Sequence, residues 1–414
     1  MPNYLKQLTA KCIMKKLFLF VLSTSLIISS CKKDNANTEI QNIKIGGLFS
    51  ITGNWSSLGI PSQEAMKLAL VDVNKYLEEK GSNIRFSTVV YDTQLDTANA
   101  KLSMERAFTV NQVKYFIGPQ SSAEVGAIKN YANANNLLVV SQGSTASSLA
   151  ISNDAIFRFC PGDVVEGRAL AKTIYNSGRH TIITLARNDA GNKGLQQSVG
   201  TAFTNLGGVA DAITPYANNS TDFTVLLSQL KAKLLQYSAT MNLDELGVYL
   251  ASFDECKELF IAASQDPLFS SINWYGGDGV VLSNVLISDA RAAGFAVATN
   301  FFAPNFGLPA ISNPGLSSIA NTIRTNTGID PDAYALSVYD AVWVIAKTLS
   351  SYPTSINDFS KLKTDFATEA NQYYGITGPV VLNANGDREI GTFDYWGITQ
   401  NAGLFQWSLV GKSE

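Results

Sequence analysis

The side chains best placed for chemistry follow predicted strands, where helices begin. Gln120, Ser121 and Ser122 come after a short apolar run and stand before a predicted helix. Exposed N–H groups and the helix dipole at such a point suit a carboxylate, and the two hydroxyls add donors without adding charge. A cap of the helix by one serine is the alternative, and it is compatible with ligand binding. The segment is therefore a candidate anion site.

A second polar turn follows the next predicted strand. Here Gly143 would give a ligand close access to the backbone, Ser144 comes next, and Thr145 offers a hydroxyl. An ordinary strand-to-helix turn explains the same residues equally well. The turn is a candidate site of the same kind, and the alternative stays open.

The second half of the chain contains an aspartate in a glycine-rich stretch. Asp278 stands among glycines in the stretch WYGGDG, unshielded by neighbouring side chains. Once such a group is desolvated, it needs a positive partner or hydrogen bonds worth several kcal/mol. The alternative is a solvated turn aspartate, because Gly-Asp-Gly is common turn chemistry.

Enzymatic chemistry has little support in the sequence. The chain has one histidine, His180, which excludes an HExxH motif and zinc sites built on several imidazoles. His180 begins a predicted strand, so an exposed structural residue is favoured over a member of a triad. Gly46-Gly47 followed by Thr52-Gly53 does not match the dinucleotide-binding pattern. We predict no enzyme, no cofactor and no metal site.

Composition excludes further classes. With 414 residues, of which 46% are apolar, the chain can bury more than one core. Its formal net charge is -3, without a basic stripe, which argues against a nucleic-acid partner. We therefore expect a folded protein of two lobes.

The first 31 residues are interpreted as a signal peptide. After Lys15 and Lys16, an apolar stretch of about a dozen residues has the length of a signal core, whereas a membrane span needs about 20. The stretch ends in Ile28-Ser29-Ser30-Cys31, which resembles a bacterial lipobox, so Cys31 is the predicted lipidation site. An ordinary secretory signal is the alternative. Residues 32–41 are then a tether.

Removal of the leader changes the charge and the cysteine count. It takes four lysines from the 31 Lys+Arg and leaves 27 against 34 acids, a net charge of -7. Outside the leader only Cys160 and Cys256 remain. One disulfide is possible, but two buried thiols are favoured because a large core needs no cross-link.

Strand-like and helix-like segments alternate from residue 42 onward. Pro61 and Gly81 bracket a predicted helix over residues 62–80, and Asp96 should cap the next one. A similar series restarts after residue 159. Repeated strand–helix units predict an α/β fold with mainly parallel sheets covered by helices, in two lobes with a cleft between them.

Several stretches, taken together and in order, resemble a known family. They are typical of type I periplasmic binding proteins, in particular the branched-chain amino-acid-binding branch that serves ABC importers. The stretches are IKIGGLFSITG from Ile43, EAMKLALVDVN from Glu64, Tyr91-Asp92-Thr93, FIGPQSS from Phe116, Thr377-Gly378-Pro379-Val380, and Phe405-Gln406-Trp407.

The resemblance implies two doubly wound parallel-sheet lobes joined by three hinge crossings, with ligand trapped as the lobes close. Lobe 1 would comprise residues 42–161 and 303–391. Lobe 2 would comprise residues 162–302 and 392–414. In the family, the position of Asp278 pairs with the ligand's ammonium, and Gly143 to Thr145 match positions that hold its carboxylate and ammonium.

This chain departs from the family pattern at two aromatic positions. Leu58 stands where relatives carry an aromatic residue, although Trp55 could reach the cleft instead. Gly191 takes the place of a tyrosine, in a polar loop that also contains Asp189. These changes put a leucine-type specificity in doubt. Candidate apolar walls for the ligand are Phe253 and Tyr334.

The resulting prediction is a lipid-anchored solute-binding protein that delivers an amino acid or related amphiphile to an ABC permease. We expect a monomer, attached to the membrane through its lipid alone and facing the periplasm. A receptor of the same fold that signals to a partner without transport is the alternative, and the sequence does not separate the two.

Overall fold

A computed structural model describes residues 39–308, 315–352, 358–389 and 392–413 of the chain. The predicted signal segment, Cys31 and most of the tether lie outside the described residues. The described residues from Asn42 onward form one compact unit. No helix in the described ranges is long and apolar enough to span a membrane.

The first sheet contains five strands in the order β2-β1-β3-β4-β5. The pairings of β3 with β1, of β4 with β3 and of β5 with β4 are parallel. A strand order that departs from chain order needs crossover connections, and helices supply them. The strands are β1 (Gln41–Phe49), β2 (Ile84–Asp92), β3 (Tyr115–Ile117), β4 (Leu138–Ser141) and β5 (Ile156–Arg158).

The second sheet contains seven strands in the order β14-β13-β10-β9-β8-β6-β7. The strands from β10 through β7 pair in parallel, whereas β13 and β14 form an antiparallel edge. These strands are β6 (Thr181–Ala186), β7 (Val209–Ala212), β8 (Leu246–Ala251), β9 (Asn273–Gly276), β10 (Phe302–Phe306), β13 (Phe393–Asn401) and β14 (Leu404–Lys412). A small separate pair consists of β11 (Tyr374–Gly375) and β12 (Gly378–Pro379).

Helices cover both sheets. Those that pack with the first sheet are Ser56–Glu79, Thr97–Thr109, Ser122–Ala134, Gly315–Thr327, Ala333–Ser350 and Phe359–Gln372. Those associated with the second are Asp163–Asn176, Ala190–Asn205, Thr224–Ser238, Cys256–Ala263, Pro267–Ser270, Asn284–Ile287 and Ala290–Ala298. The predicted α/β fold with two parallel-sheet lobes is confirmed.

Local sequence explains several helix starts, but not the start of the helix Ser56–Glu79. Asp96 caps its helix as predicted, since its side chain accepts a hydrogen bond from the Asn99 N–H. The prediction that Pro61 opens a helix is wrong, because that helix begins at Ser56 and Pro61 lies inside it. The start is set by Trp55, whose backbone is left-handed (φ 67°), and tertiary contacts described below hold it there.

Four clusters of buried side chains organise the described part of the body. Two of them include strands of the first sheet with the helices that cover it, and one does the same for the second sheet. The fourth joins side chains of both halves, including Trp55, Phe253 and Tyr334. The two lobes therefore meet through apolar packing as well as through the connecting chain.

The lobe boundaries stay a proposal, with one observation to add. The strand β10 pairs with β9 and β13 along Phe302–Phe306, so it lies wholly in the second sheet. A boundary at residue 303 would cut this strand, and a crossing after Phe306 fits the pairing better. The segment 392–413 belongs to the second sheet, where it was placed from the sequence.

The two remaining cysteines are free thiols. Cys160 and Cys256 are both buried and unbonded to each other. Burial raises the pKa of both thiols, so they stay protonated and behave as small core residues. The interpretation as buried thiols is confirmed.

Candidate ligand-binding site

The first loop is held in an unusual conformation at the meeting of the lobes. Trp55 adopts a left-handed backbone conformation that a bulky residue rarely takes. The Gln120 side-chain amide donates to the Trp55 carbonyl (2.9 Å) and accepts from the Ser50 N–H (3.1 Å). Because both ends of this amide are engaged, Gln120 acts here by positioning the loop.

An apolar contact closes one side of the site. The rings of Trp55 and Phe253 stack with centroids 4.2 Å apart and planes 24° apart. A Cβ placed on Gly143 would lie 3.2 Å from both Trp55 and Leu58, so the turn passes directly against this pair. The structure thus brings four of the predicted site residues together, and Trp55 reaches the cleft.

Polar contacts that the sequence did not indicate flank the aromatic stack. The Asn54 side-chain amide donates to Glu255 (2.6 Å), and the Glu255 N–H donates back to Asn54 (3.1 Å). The Ser57 N–H donates to Asp254 (3.2 Å). These bonds connect the first loop of one lobe to the segment after β8 of the other. Neither acid follows a recognisable motif, and only the fold places them opposite this loop.

The two serines after β3 have different roles. Ser121 forms a capping box with Glu124, as its hydroxyl donates to that carboxylate (2.6 Å) and accepts from the Glu124 N–H (3.3 Å). Ser122 accepts from the Ser144 hydroxyl and from the Ala146 N–H, both at 3.1 Å. The cap alternative therefore holds for Ser121, whereas Ser122 and Ser144 tie the two polar turns together.

The opposite lobe approaches these turns through a helix N-terminus. Asp189 caps the helix by accepting from the Asn192 N–H (3.0 Å). A Cβ on Gly191 would lie 3.4 Å from the Ser122 Oγ, so the absence of a side chain allows this close approach. Thr145 contacts Asp163, whose N–H donates to the Thr145 carbonyl at 2.9 Å.

Asp278 lies buried at the meeting of the lobes. It opens a short 3₁₀ turn after β9 and is 5% exposed. The Tyr334 hydroxyl, from a helix that packs with the first sheet, donates to its carboxylate at 3.0 Å. Burial, with the nearby charge of Asp163, raises the pKa of Asp278 to about 7. The solvated-turn alternative does not fit this environment.

Two other features, His180 and a surface groove, lie apart from the predicted site residues. His180 is exposed and rests edge-on against Tyr175 (5.1 Å between ring centroids). A groove of about 880 Å³ runs between the helices of residues 163–176 and 190–205, but none of the predicted site residues line it. Within the described residues, no group of three His, Cys, Asp or Glu side chains is arranged to hold a metal ion.

Comparison with known proteins identifies a family for this chain. Residues 61–401 match the family described as the receptor family ligand binding region. The chain belongs to this family. Its members share the lobe architecture seen here, the type I periplasmic binding fold, so the resemblance seen in the sequence is confirmed.

Individual relatives are distant. An uncharacterised protein of Methanocaldococcus jannaschii is 26% identical over 94% of this chain and 95% of its own length. The structure of a leucine-binding protein from Thermotoga maritima is 21% identical, covers 90% of this chain and 98% of that one, and has a TM-score of 0.70. A solute-binding protein from Rhodopseudomonas palustris in complex with benzoate is 16% identical, covers 89% and 96%, and has a TM-score of 0.69.

Proposed function

We propose that this protein is an extracytoplasmic solute-binding protein that traps a small ligand bearing an ammonium group, an amino acid or related amphiphile, between its two lobes. Delivery to an ABC permease is the favoured role, and lipidation at Cys31 would keep the protein at the membrane. Membership of a ligand-binding family and the leucine-binding neighbour support the proposal.

The main evidence for the class of ligand is the buried carboxylate of Asp278. It lies between the lobes, 3.0 Å from the Tyr334 hydroxyl. A desolvated carboxylate binds an ammonium strongly and disfavours an anionic ligand such as benzoate. An amino acid therefore fits this site better than an aromatic acid.

The proposed binding mechanism is closure of the two lobes around the ligand. The contacts between Trp55 and Phe253 and between Asn54 and Glu255 join the lobes, and they break if the lobes separate. A ligand that binds both lobes at once has a higher affinity for the closed form and shifts the population towards it. A permease or a signalling partner could then recognise the closed form. Signalling without transport is the second candidate, supported by the receptor description of the family.

The test is a thermal-shift screen of the purified full chain. The panel contains the amino acids, their decarboxylated and deaminated analogues, sugars, nucleosides and benzoate. A ligand at 100 times its dissociation constant should stabilise the fold by about 2.7 kcal/mol, which shifts Tm by degrees. We expect α-amino acids to shift Tm and the deaminated acids to leave it unchanged.

Asp278→Asn should abolish the response because the amide has no charge for the ammonium. Asp244→Asn, at an exposed position of the same lobe, is the matched control and should respond like the wild type. If sugars, nucleosides or benzoate shift Tm and amino acids do not, the proposed ligand class is wrong.

A further inference from the structure

A second carboxylate reaches the site from a helix that the sequence did not single out. Glu166 lies in the first turn of Asp163–Asn176 and is 1% exposed. One of its oxygens accepts from the Asp278 N–H at 3.2 Å, and the other, Oε2, has no hydrogen-bond partner in the described structure. The charge of Asp278 also raises the pKa of Glu166.

A buried hydroxyl faces the same two acids. Tyr249, on β8, is fully buried, and its Oη has no hydrogen-bond partner among the described residues. The Oη would lie 3.0 Å from a Cβ on Gly277, the residue before Asp278. The charges of Glu166 and Asp278 contribute to raising the pKa of this phenol. An unpaired buried hydroxyl costs free energy unless it finds a partner.

Two further acids add to the negative charge around the pair. Asp163 lies on the same helix as Glu166, and Asp332 caps the helix that contains Tyr334. The Tyr334 hydroxyl and the Cys160 thiol nearby are neutral because their pKa values are raised. Among the described cations, Arg158 acts on this region through Asp163, but its guanidinium is engaged by both oxygens of Asp387, at 2.5 and 2.7 Å. The pair therefore lacks a protein cation of its own.

We propose that Glu166 is a second ligand-binding carboxylate, which together with Asp278 and the Tyr249 hydroxyl accepts the three N–H bonds of one primary ammonium group. This inference rests on the proposed function and deepens it. An ammonium has three donors and no acceptor, and the site presents two carboxylates and one hydroxyl oxygen to match them. A quaternary ammonium, which has no N–H group, should bind poorly.

Proton release is the signature of this arrangement. Burial and the charge of Asp278 raise the pKa of Glu166, and burial raises that of Asp278 to about 7, so the ligand-free pair holds a proton more tightly than two solvated acids would. An ammonium replaces that proton, which passes to the buffer. Binding should therefore weaken as pH falls, by up to tenfold per pH unit for each proton released.

The experiment is titration calorimetry of the full chain at pH 6 and pH 8.5, in two buffers of different ionisation heat. The probes are the twenty common α-amino acids and, for each one that binds, its N-trimethyl derivative. We expect the wild type to release more protons per bound ligand at pH 6 than at pH 8.5. The trimethyl derivative should bind at least tenfold more weakly.

Two variants test the roles of the side chains. Glu166→Gln should bind amino acids about ten- to hundredfold more weakly than the wild type, because it loses one hydrogen bond to a charged group. It should release less than half as many protons per bound ligand. Tyr249→Phe removes one hydroxyl without disturbing the carboxylates and should weaken binding while proton release is kept. Glu258→Gln, on an exposed helix position, is the matched control and should match the wild type.

The outcomes separate this inference from the proposed function. If amino acids bind the wild type and Glu166→Gln with equal affinity and equal proton release, Glu166 is not a ligand-binding residue and the proposed function stands. If Glu166→Gln does not fold, unchanged binding by Tyr249→Phe together with equal binding of the trimethyl derivative overturns the inference. If no amino acid binds the wild type, the inference and the proposed ligand class fail together.

Discussion

At the scale of single residues, buried charges organise the site through their partners. Arg158 at the end of β5 is 1% exposed and binds Asp387 through two hydrogen bonds. The same guanidinium donates to the carbonyls of Ser144 and Ala146, at 3.0 and 2.7 Å. It thereby fixes the turn that contains Gly143 and connects it to a segment more than two hundred residues away.

Asp387→Asn should destabilise the fold strongly. It leaves the Arg158 charge buried without a counter-ion, a loss of about 3–5 kcal/mol for a buried pair. Urea unfolding should show a lower midpoint with an unchanged slope. Asp365→Asn, which breaks an exposed pair with Lys361, should change the midpoint little. Equal shifts for the two variants would contradict a structural role for the buried pair.

At the scale of elements, the closure of the lobes is limited by the distance between the helix Ala190–Asn205 and the turns that contain Ser122 and Ser144. The helix Ala190–Asn205 presents Gly191 to Ser122, close enough that a Cβ would just be in contact at 3.4 Å. A ring at this position would occupy the space between the elements. Glycine at position 191 therefore permits a closer approach of the helix than an aromatic residue would.

Gly191→Tyr should hold the lobes apart. With a saturating amino acid from the thermal-shift screen present, small-angle scattering should give a larger radius of gyration for this variant than for the wild type. Gly191→Ala should leave it unchanged, because the added methyl makes only ordinary contacts. Gly191→Ala should also keep the cap at Asp189, because its methyl group would lie at an ordinary 3.6 Å from the Asp189 Oδ1. An unchanged radius for the tyrosine variant would show that closure does not depend on this contact.

At the scale of the whole molecule, buried acids link stability to pH. Burial raises the pKa of Asp332 and of Asp278 to about 7 and that of Asp163 to about 6. An acid whose pKa is higher in the folded state holds its proton more tightly there. Between the unfolded value of about 4 and the folded value, the folded state therefore binds more protons, and stability falls as pH rises.

The wild type should therefore unfold at lower denaturant concentration at pH 8 than at pH 5. Asp332→Asn isolates one contribution, since asparagine also caps a helix but does not titrate. Its profile should be shallower between about pH 4 and pH 7, by at most about 1.4 kcal/mol per pH unit. Parallel profiles for the two proteins would mean that Asp332 does not titrate in this range.

The sequence by itself determined the class of fold and predicted several residues that the structure brings together. Alternating strand and helix patterns identified the parallel sheets, because hydrophobic period and turn residues are local signals. Family-like motifs brought Trp55, Gly143 and Asp278 into one hypothesis. The cap at Ser121 is also a local signal, because the capping box lies within four consecutive residues.

Only the tertiary structure decided which side chains meet across the lobes. Glu166 is an ordinary first-turn acid in the sequence, and Tyr249 is an ordinary strand aromatic. The hydrogen bond between Glu166 and Asp278 joins residues that are 112 positions apart, and Tyr249 comes near Gly277 from another strand. Such contacts follow from the crossing of the chain between two sheets, and no local pattern encodes them. The pKa of each acid is likewise set by burial and by charges that arrive from other elements.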